Sequence, residues 1–220
     1  MSEKRSPLEA LARQLYRDHK QTFDLILPQQ ETSPFVTAAH QIFGDPPQAG
    51  KIVRVQDQPF ILTGSGKAIT NFFPLAWHEA LGAIPRAWKG CEKWWAGYPI
   101  AMWMEQRAGD DKARGYLVLN AEIGPLADHD LRQDLITCIA SAAAEKGMTR
   151  IRFPARATAR SSLYSRFLRD NAIALENPQS ARAIETRLLS LLSGFAPEID
   201  CVADALACFG RKAQPGAEQS

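Results

Sequence analysis

A chain of 220 residues with 45% hydrophobic and 23% charged side chains is long enough to bury its own core, and this composition excludes a disordered chain or a coiled coil. The net charge is only +2, so any strongly charged surface must be local. No apolar run reaches the roughly 20 residues of a membrane-spanning helix and the N-terminus lacks the hydrophobic stretch of a signal peptide, so a cytoplasmic location is expected.

Leu8, Leu11, Leu15 and His19 lie near helical spacing behind Ser6 and Pro7, which predicts an amphipathic helix from Pro7 to about Leu27. A polar connection leads to a second helix, Phe35 to Phe43, and Asp45-Pro46-Pro47 then breaks the chain. The expected organisation is an N-terminal helical segment of residues 1–48, an α+β domain of 49–209 and a flexible tail of 210–220. Lys51 to Val55, Pro59 to Thr63 and Lys67 to Phe73 read as an antiparallel meander, turning at Gln56-Asp57-Gln58 and Gly64-Ser65-Gly66. From Leu75 to Trp95 the chain carries Trp77, Trp88, Trp94 and Trp95 between Gly82, Pro85 and Gly90, a pattern of short helices.

Tyr98 to Arg107 and Arg114 to Ile123 form the strongest β signal, a hairpin turning at Ala108-Gly109-Asp110-Asp111-Lys112. With Arg107 opposite Ala113, one face would hold Ala101, Trp103, Leu117, Leu119 and Ala121, and the other Met102, Met104, Tyr116 and Val118. Both faces are then apolar, which makes this a central hairpin covered on each side. After Gly124-Pro125, Asp128 or Asp130 caps a helix carrying Leu131, Leu135, Ile136, Ile139 and Ala143 up to Gly147. Arg150-Ile151-Arg152-Phe153 alternates as a short strand ending at Pro154, and Ser180 to Leu192 and Glu198 to Phe209 are two late helices. The fold class is α+β: a central, largely antiparallel sheet with a prominent hairpin, flanked by helices.

The charge is concentrated between Lys146 and Arg169, where Arg150, Arg152, Arg156, Arg160, Arg166 and Arg169 occur without an Asp or Glu. Seven positive charges in a chain of net +2 leave −5 for everything else. Thr149, Thr158, Ser161, Ser162 and Ser165 lie among the arginines, and guanidinium with hydroxyl groups is the usual chemistry for holding phosphate oxygens. The strand places Arg150 and Arg152 on one exposed face, and Arg156 and Arg160, four residues apart, share a face if the loop continues as a helical turn. The plainer alternative is that acids from elsewhere in the chain pair with them.

Other constellations are weaker. The tryptophans would serve as stacking platforms only if a ring is exposed, and otherwise fill the core. Thr63-Gly64-Ser65-Gly66-Lys67-Ala68 is not a phosphate loop, because Ile61 stands where the first glycine belongs and Ala68 where Ser or Thr binds the metal. Glu105 and Glu122 could bind a divalent cation, but the expected register points them to opposite faces, and neither begins an acid-x-Lys element. A slip of one residue would change the first point and not the second. His78, Glu79 and Cys91 are isolated, His19, His40 and His129 read as helix or surface residues, and the scattered Cys91, Cys138, Cys201 and Cys208 read as free thiols without a zinc pattern.

Tyr-Pro-Ile-Ala-Met-Trp-Met-Glu from Tyr98, Leu-Val-Leu-Asn-Ala-Glu-Ile-Gly-Pro-Leu from Leu117, and Arg132 in the following helix resemble the C-terminal region of bacterial proteins grouped with the PD-(D/E)XK nuclease superfamily. The resemblance covers about half the chain. It implies an accessory or target-recognition module of a defence or mobile-element system, because the acid-x-Lys element of the nuclease core has no counterpart here. The expectation is a nucleic-acid-binding accessory protein contacting phosphates through Arg150, Arg152, Arg156, Arg160, Arg166 and Arg169, with no catalytic residue, metal or cofactor assigned. The alternatives are a protein-interaction or inhibitor module that docks an acidic partner with Trp88 or Trp94 as anchor, and a divergent metal-dependent nuclease using Glu105 or Glu122.

Overall fold

The computed structural model describes residues 33–212 apart from 46, 85–87, 95 and 110–113. The expected helix from Pro7 to Leu27 with His19, Pro46 of the break, Trp95, the hairpin tip and the last eight residues lie outside the described residues. Contacts divide the chain after Ser33, and the larger of the two units begins at Pro34.

That unit is an α+β fold. Helix α1 (Pro34–Phe43) precedes the meander β1 (Ile52–Val55), β2 (Gln58–Ser65) and β3 (Ile69–Pro74), and α2 (Leu75–Gly82) leads toward the hairpin β4 (Ile100–Ala108) and β5 (Gly115–Ile123). Helix α3 (His129–Glu145), two short strands β6 (Ser165–Arg166) and β7 (Ala172–Leu175), and helices α4 (Ala181–Gly194) and α5 (Ala196–Lys212) complete it. The strands form one antiparallel sheet in the order β1-β2-β3-β4-β5-β6, with β7 pairing along the other half of the β5 edge. The expected meander, hairpin, α3 and the two late helices are all present. Asp128, not Asp130, caps α3 by accepting from the Leu131 N–H at 3.0 Å, and Ser180 caps α4 through the Ala183 N–H.

The hairpin register differs from the expected one. Ala108 pairs with Gly115, Met104 with Leu119 and Met102 with Ala121, which shifts the ladder by three positions and exchanges the faces of one strand relative to the other. Met102, Met104, Leu117, Leu119, Ala121 and Ile123 now share one face and join the core under the helices, with Phe43 stacked on Phe72 and Trp77 bonded to the Ile199 carbonyl. Trp103, Glu105, Arg107, Asn120 and Glu122 share the other. The physical reason is hydrophobic segregation: this register gathers Met102, Met104, Leu117 and Leu119 on the core side and puts Glu105, Arg107 and Glu122 together on the other, where Ala101, Trp103 and Val118 are also buried.

Two further differences concern the basic segment and the end of the chain. Arg150 to Phe153 does not form a strand of its own; Ile151 makes a single antiparallel bridge to Leu168. The partner segment breaks off the β5 edge between β6 and β7, where Asp170 takes a positive φ of 50°. Helix α5 runs to Lys212, past the Gly210 at which the sequence suggests a tail; Gly210 packs closely on Ile84, where a Cβ would come within 3.2 Å.

Candidate functional site

The basic stretch splits into anchored and outward-facing members. Lys146, just past the end of α3, pairs with Asp204 at 2.5 Å, and that hydrogen bond holds its pKa above the ordinary lysine value. Arg150 is the most committed. Its Nε and a terminal nitrogen donate to the two carboxylate oxygens of Glu198 at 2.8 and 2.6 Å, the same terminal nitrogen reaches the Gly194 carbonyl, and the guanidinium lies 4.0 Å over the Phe195 ring. Glu198 is only 4% exposed, so Arg150 holds a buried carboxylate in a bidentate fork. Arg169 closes its own turn by donating to the Leu168 and Arg166 carbonyls. Arg166 lies 5.0 Å over the Trp103 ring and 3.6 Å from Glu122.

Arg152, Arg156 and Arg160 face solvent. Among the described residues no carboxylate stands within ion-pairing distance of Arg152 or Arg156. Arg160 approaches Asp130 only to 3.9 Å with both side chains almost fully exposed, a contact that contributes little in water. Of the hydroxyl residues, Thr149, Thr158 and Ser161 are exposed, and Ser165 is buried.

Residues 153–164, which carry Arg156 and Arg160 directly after Arg152, are tied into successive tight turns by bonds from Ala157 to Pro154, Ala159 to Arg156 and Ser162 to Ala159. Arg132 of α3, 3% exposed, holds this loop from beneath. It donates to the Ala157 carbonyl at 2.5 Å, the Gly124 carbonyl at 3.2 Å and Ser165 Oγ at 2.8 Å. Burial pulls the Arg132 pKa below the ordinary arginine range, and the Glu122 charge opposes that pull. The outer arginines are thus displayed on a loop whose shape an internal arginine sets.

One feature of the loop has no counterpart among the expected site residues. Leu163 and Tyr164 are 57% and 52% exposed, the largest apolar exposure in this part of the molecule. The Tyr164 ring meets Trp94 with centroids 6.2 Å apart, and Trp94 rests so tightly on Gly124 that a Cβ there would lie 2.2 Å from the ring. Tyr164 stands beside Ser165 and Arg166 in the sequence, and its place at the edge of an arginine-rich loop was a signal available there. Of the other expected tryptophan platforms, Trp77 and Trp88 are buried in the core.

Glu105 and Glu122 share the outer face of the hairpin, contrary to the expected register. Glu105 stands opposite Val118, four residues from Glu122, so about 14 Å of strand separates them and one cation cannot bridge both. Glu105 accepts from Arg107 and from Asn120 at 2.9 Å. Burial raises the Glu122 pKa, against the lowering influence of Arg166 and then Arg132. Cys91 is buried, and desolvation followed by the Glu92 charge pushes its thiol up to about 11, which leaves it protonated at neutral pH and a poor nucleophile. His78 packs edge-on against Tyr98, His40 bonds Asp45 at 3.0 Å, and no group of three or more His, Cys, Asp or Glu is gathered as a metal cage among the described residues. No helix among them is long and apolar enough to cross a membrane. Searches against protein-family models, curated proteins and solved structures find no match for this chain.

Proposed function

We propose that this protein binds the phosphate backbone of nucleic acid through Arg152, Arg156 and Arg160, as an accessory module and not as a catalyst. The observation that carries the reading is the pairing pattern. Arg152 and Arg156 are exposed, with no carboxylate partner among the described residues, beside and within a loop held by Arg132, so their forks remain open to phosphate oxygens. Arg150 and Arg169, committed to Glu198 and to backbone carbonyls, support the loop and do not contact the ligand. Arg166 can contribute from the edge of the strip. An accessory role in a bacterial defence or mobile-element system is what the sequence resemblance implies.

Fluorescence anisotropy with labelled DNA and RNA oligonucleotides across a salt series tests this. Each arginine that neutralises a phosphate adds about one to the slope of log affinity against log salt. An Arg152→Ala/Arg156→Ala variant is expected to bind about tenfold more weakly, with a salt slope shallower by about two. A variant that binds like the parent overturns the reading.

A second reading rests on Leu163. An exposed aliphatic side chain beside Tyr164 also suits a protein partner with an acidic surface, for which the loop would be the anchor. Retention of one acidic protein on the immobilised chain, lost in Leu163→Ser and accompanied by no nucleic-acid binding, would favour it.

A further inference from the structure

We infer that the nucleic acid bound at this loop is single-stranded, with one base stacked on the exposed face of Tyr164; this rests on the phosphate-binding reading above. A side-chain ring can stack on a base only where the base is not already stacked between its neighbours, which a duplex prevents and a single strand allows. Tyr164 has the attributes of such a platform. Its ring is half exposed, and Trp94 backs it from a position fixed by contact with Gly124. A tyrosine orders few torsions, so a base stacking on a backed ring meets little entropic opposition.

The arginines point the same way. Arg156 and Arg160 project from a turn-rich loop, not from a helix shaped to enter a major groove, and Arg152 leads into that loop from the bridge at Ile151. A loop bearing exposed guanidinium groups and an exposed aromatic ring can follow a flexible backbone while the ring takes a base. Every base offers a π face, so this contact recognises single strands without reading their sequence. Leu163, next to Tyr164 in the chain, is exposed as well.

The experiment measures binding of full-length protein to labelled dT and rU oligomers and to a mixed-sequence duplex, for the parent, Tyr164→Ala, Tyr164→Phe and Arg152→Ala/Arg156→Ala, with folding checked by circular dichroism. The parent should bind the single strands more tightly than the duplex. Tyr164→Ala should lose about tenfold on the single strands and little on the duplex, and Tyr164→Phe should restore the parent value. The arginine variant should weaken both kinds of ligand. Preference between dT and rU identifies the kind of single strand, and either preference supports the inference. If Tyr164→Ala binds like the parent, or loses equally on duplex, stacking is overturned while the arginine dependence still stands. If the arginine variant also binds like the parent, the phosphate-binding reading falls with it.

Discussion

Arg150 and Arg152 stand two residues apart on one extended segment and have opposite roles. Arg150 reaches inward to Glu198, Gly194 and Phe195, and Arg152 faces water with no carboxylate beside it among the described residues. The same division runs through the whole basic segment: Lys146 and Arg169 are engaged, whereas Arg156 and Arg160 are displayed. Buried guanidinium groups must satisfy their donors inside the protein, and exposed ones leave theirs to water or a ligand. A local excess of arginine is therefore part scaffold and part surface, and substitution experiments that treat its members alike would confuse unfolding with lost binding.

Arg150→Ala separates the two classes most strongly. It leaves the Glu198 carboxylate buried without its cation, at a cost of about 3–5 kcal/mol, while Arg152→Ala should change stability by less than about 0.5 kcal/mol. Urea unfolding of the two single variants measures the contrast, and equal effects would break the distinction. Gly124→Ala comes next. The added methyl collides with Trp94, and overpacking of this kind costs about 1–3 kcal/mol; it should also displace Tyr164 and weaken single-strand binding, which a change in Trp94 fluorescence would report. The smallest effect concerns the sheet face beside the loop. Burial raises the Glu122 pKa, so its contribution to stability is present below the unfolded-state pKa and is lost as pH rises through the folded value. Glu122→Gln escapes that loss and should unfold at a slightly higher temperature than the parent at neutral pH, with the advantage fading as pH falls below the ordinary carboxylate range. A constant difference across the pH series would overturn the assignment to the Glu122 carboxyl, because both its burial and its Arg166 contact act through its ionisation.

Much of the fold was legible along the chain because it is written in local periodicity. Leu131, Leu135, Ile136 and Ile139 could only form one face of a helix, and Tyr98 to Ile123 could only be a hairpin. Register was not legible from the turn residues, and the better guide was the segregation of Met102, Met104, Leu117, Leu119 and Ala121 from Glu105, Asn120 and Glu122. Strands β6 and β7 were missed, since two and four residues against the β5 edge carry no period long enough to read. At the candidate site, the charge excess was visible and Tyr164 was within it, but the value of that ring depends on Trp94 and Gly124, which lie far from it in the chain.

Sequence alone determined that this is an α+β protein with its positive charge gathered in one acid-free stretch, because composition and side-chain period are properties of neighbouring residues. Only the tertiary structure decided which of those charges remain available. Glu198 stands 48 positions from Arg150, and Arg132 stands 25 from the carbonyl it holds at Ala157; whether an arginine is spent inside the fold or left to meet a phosphate depends on partners that folding brings together.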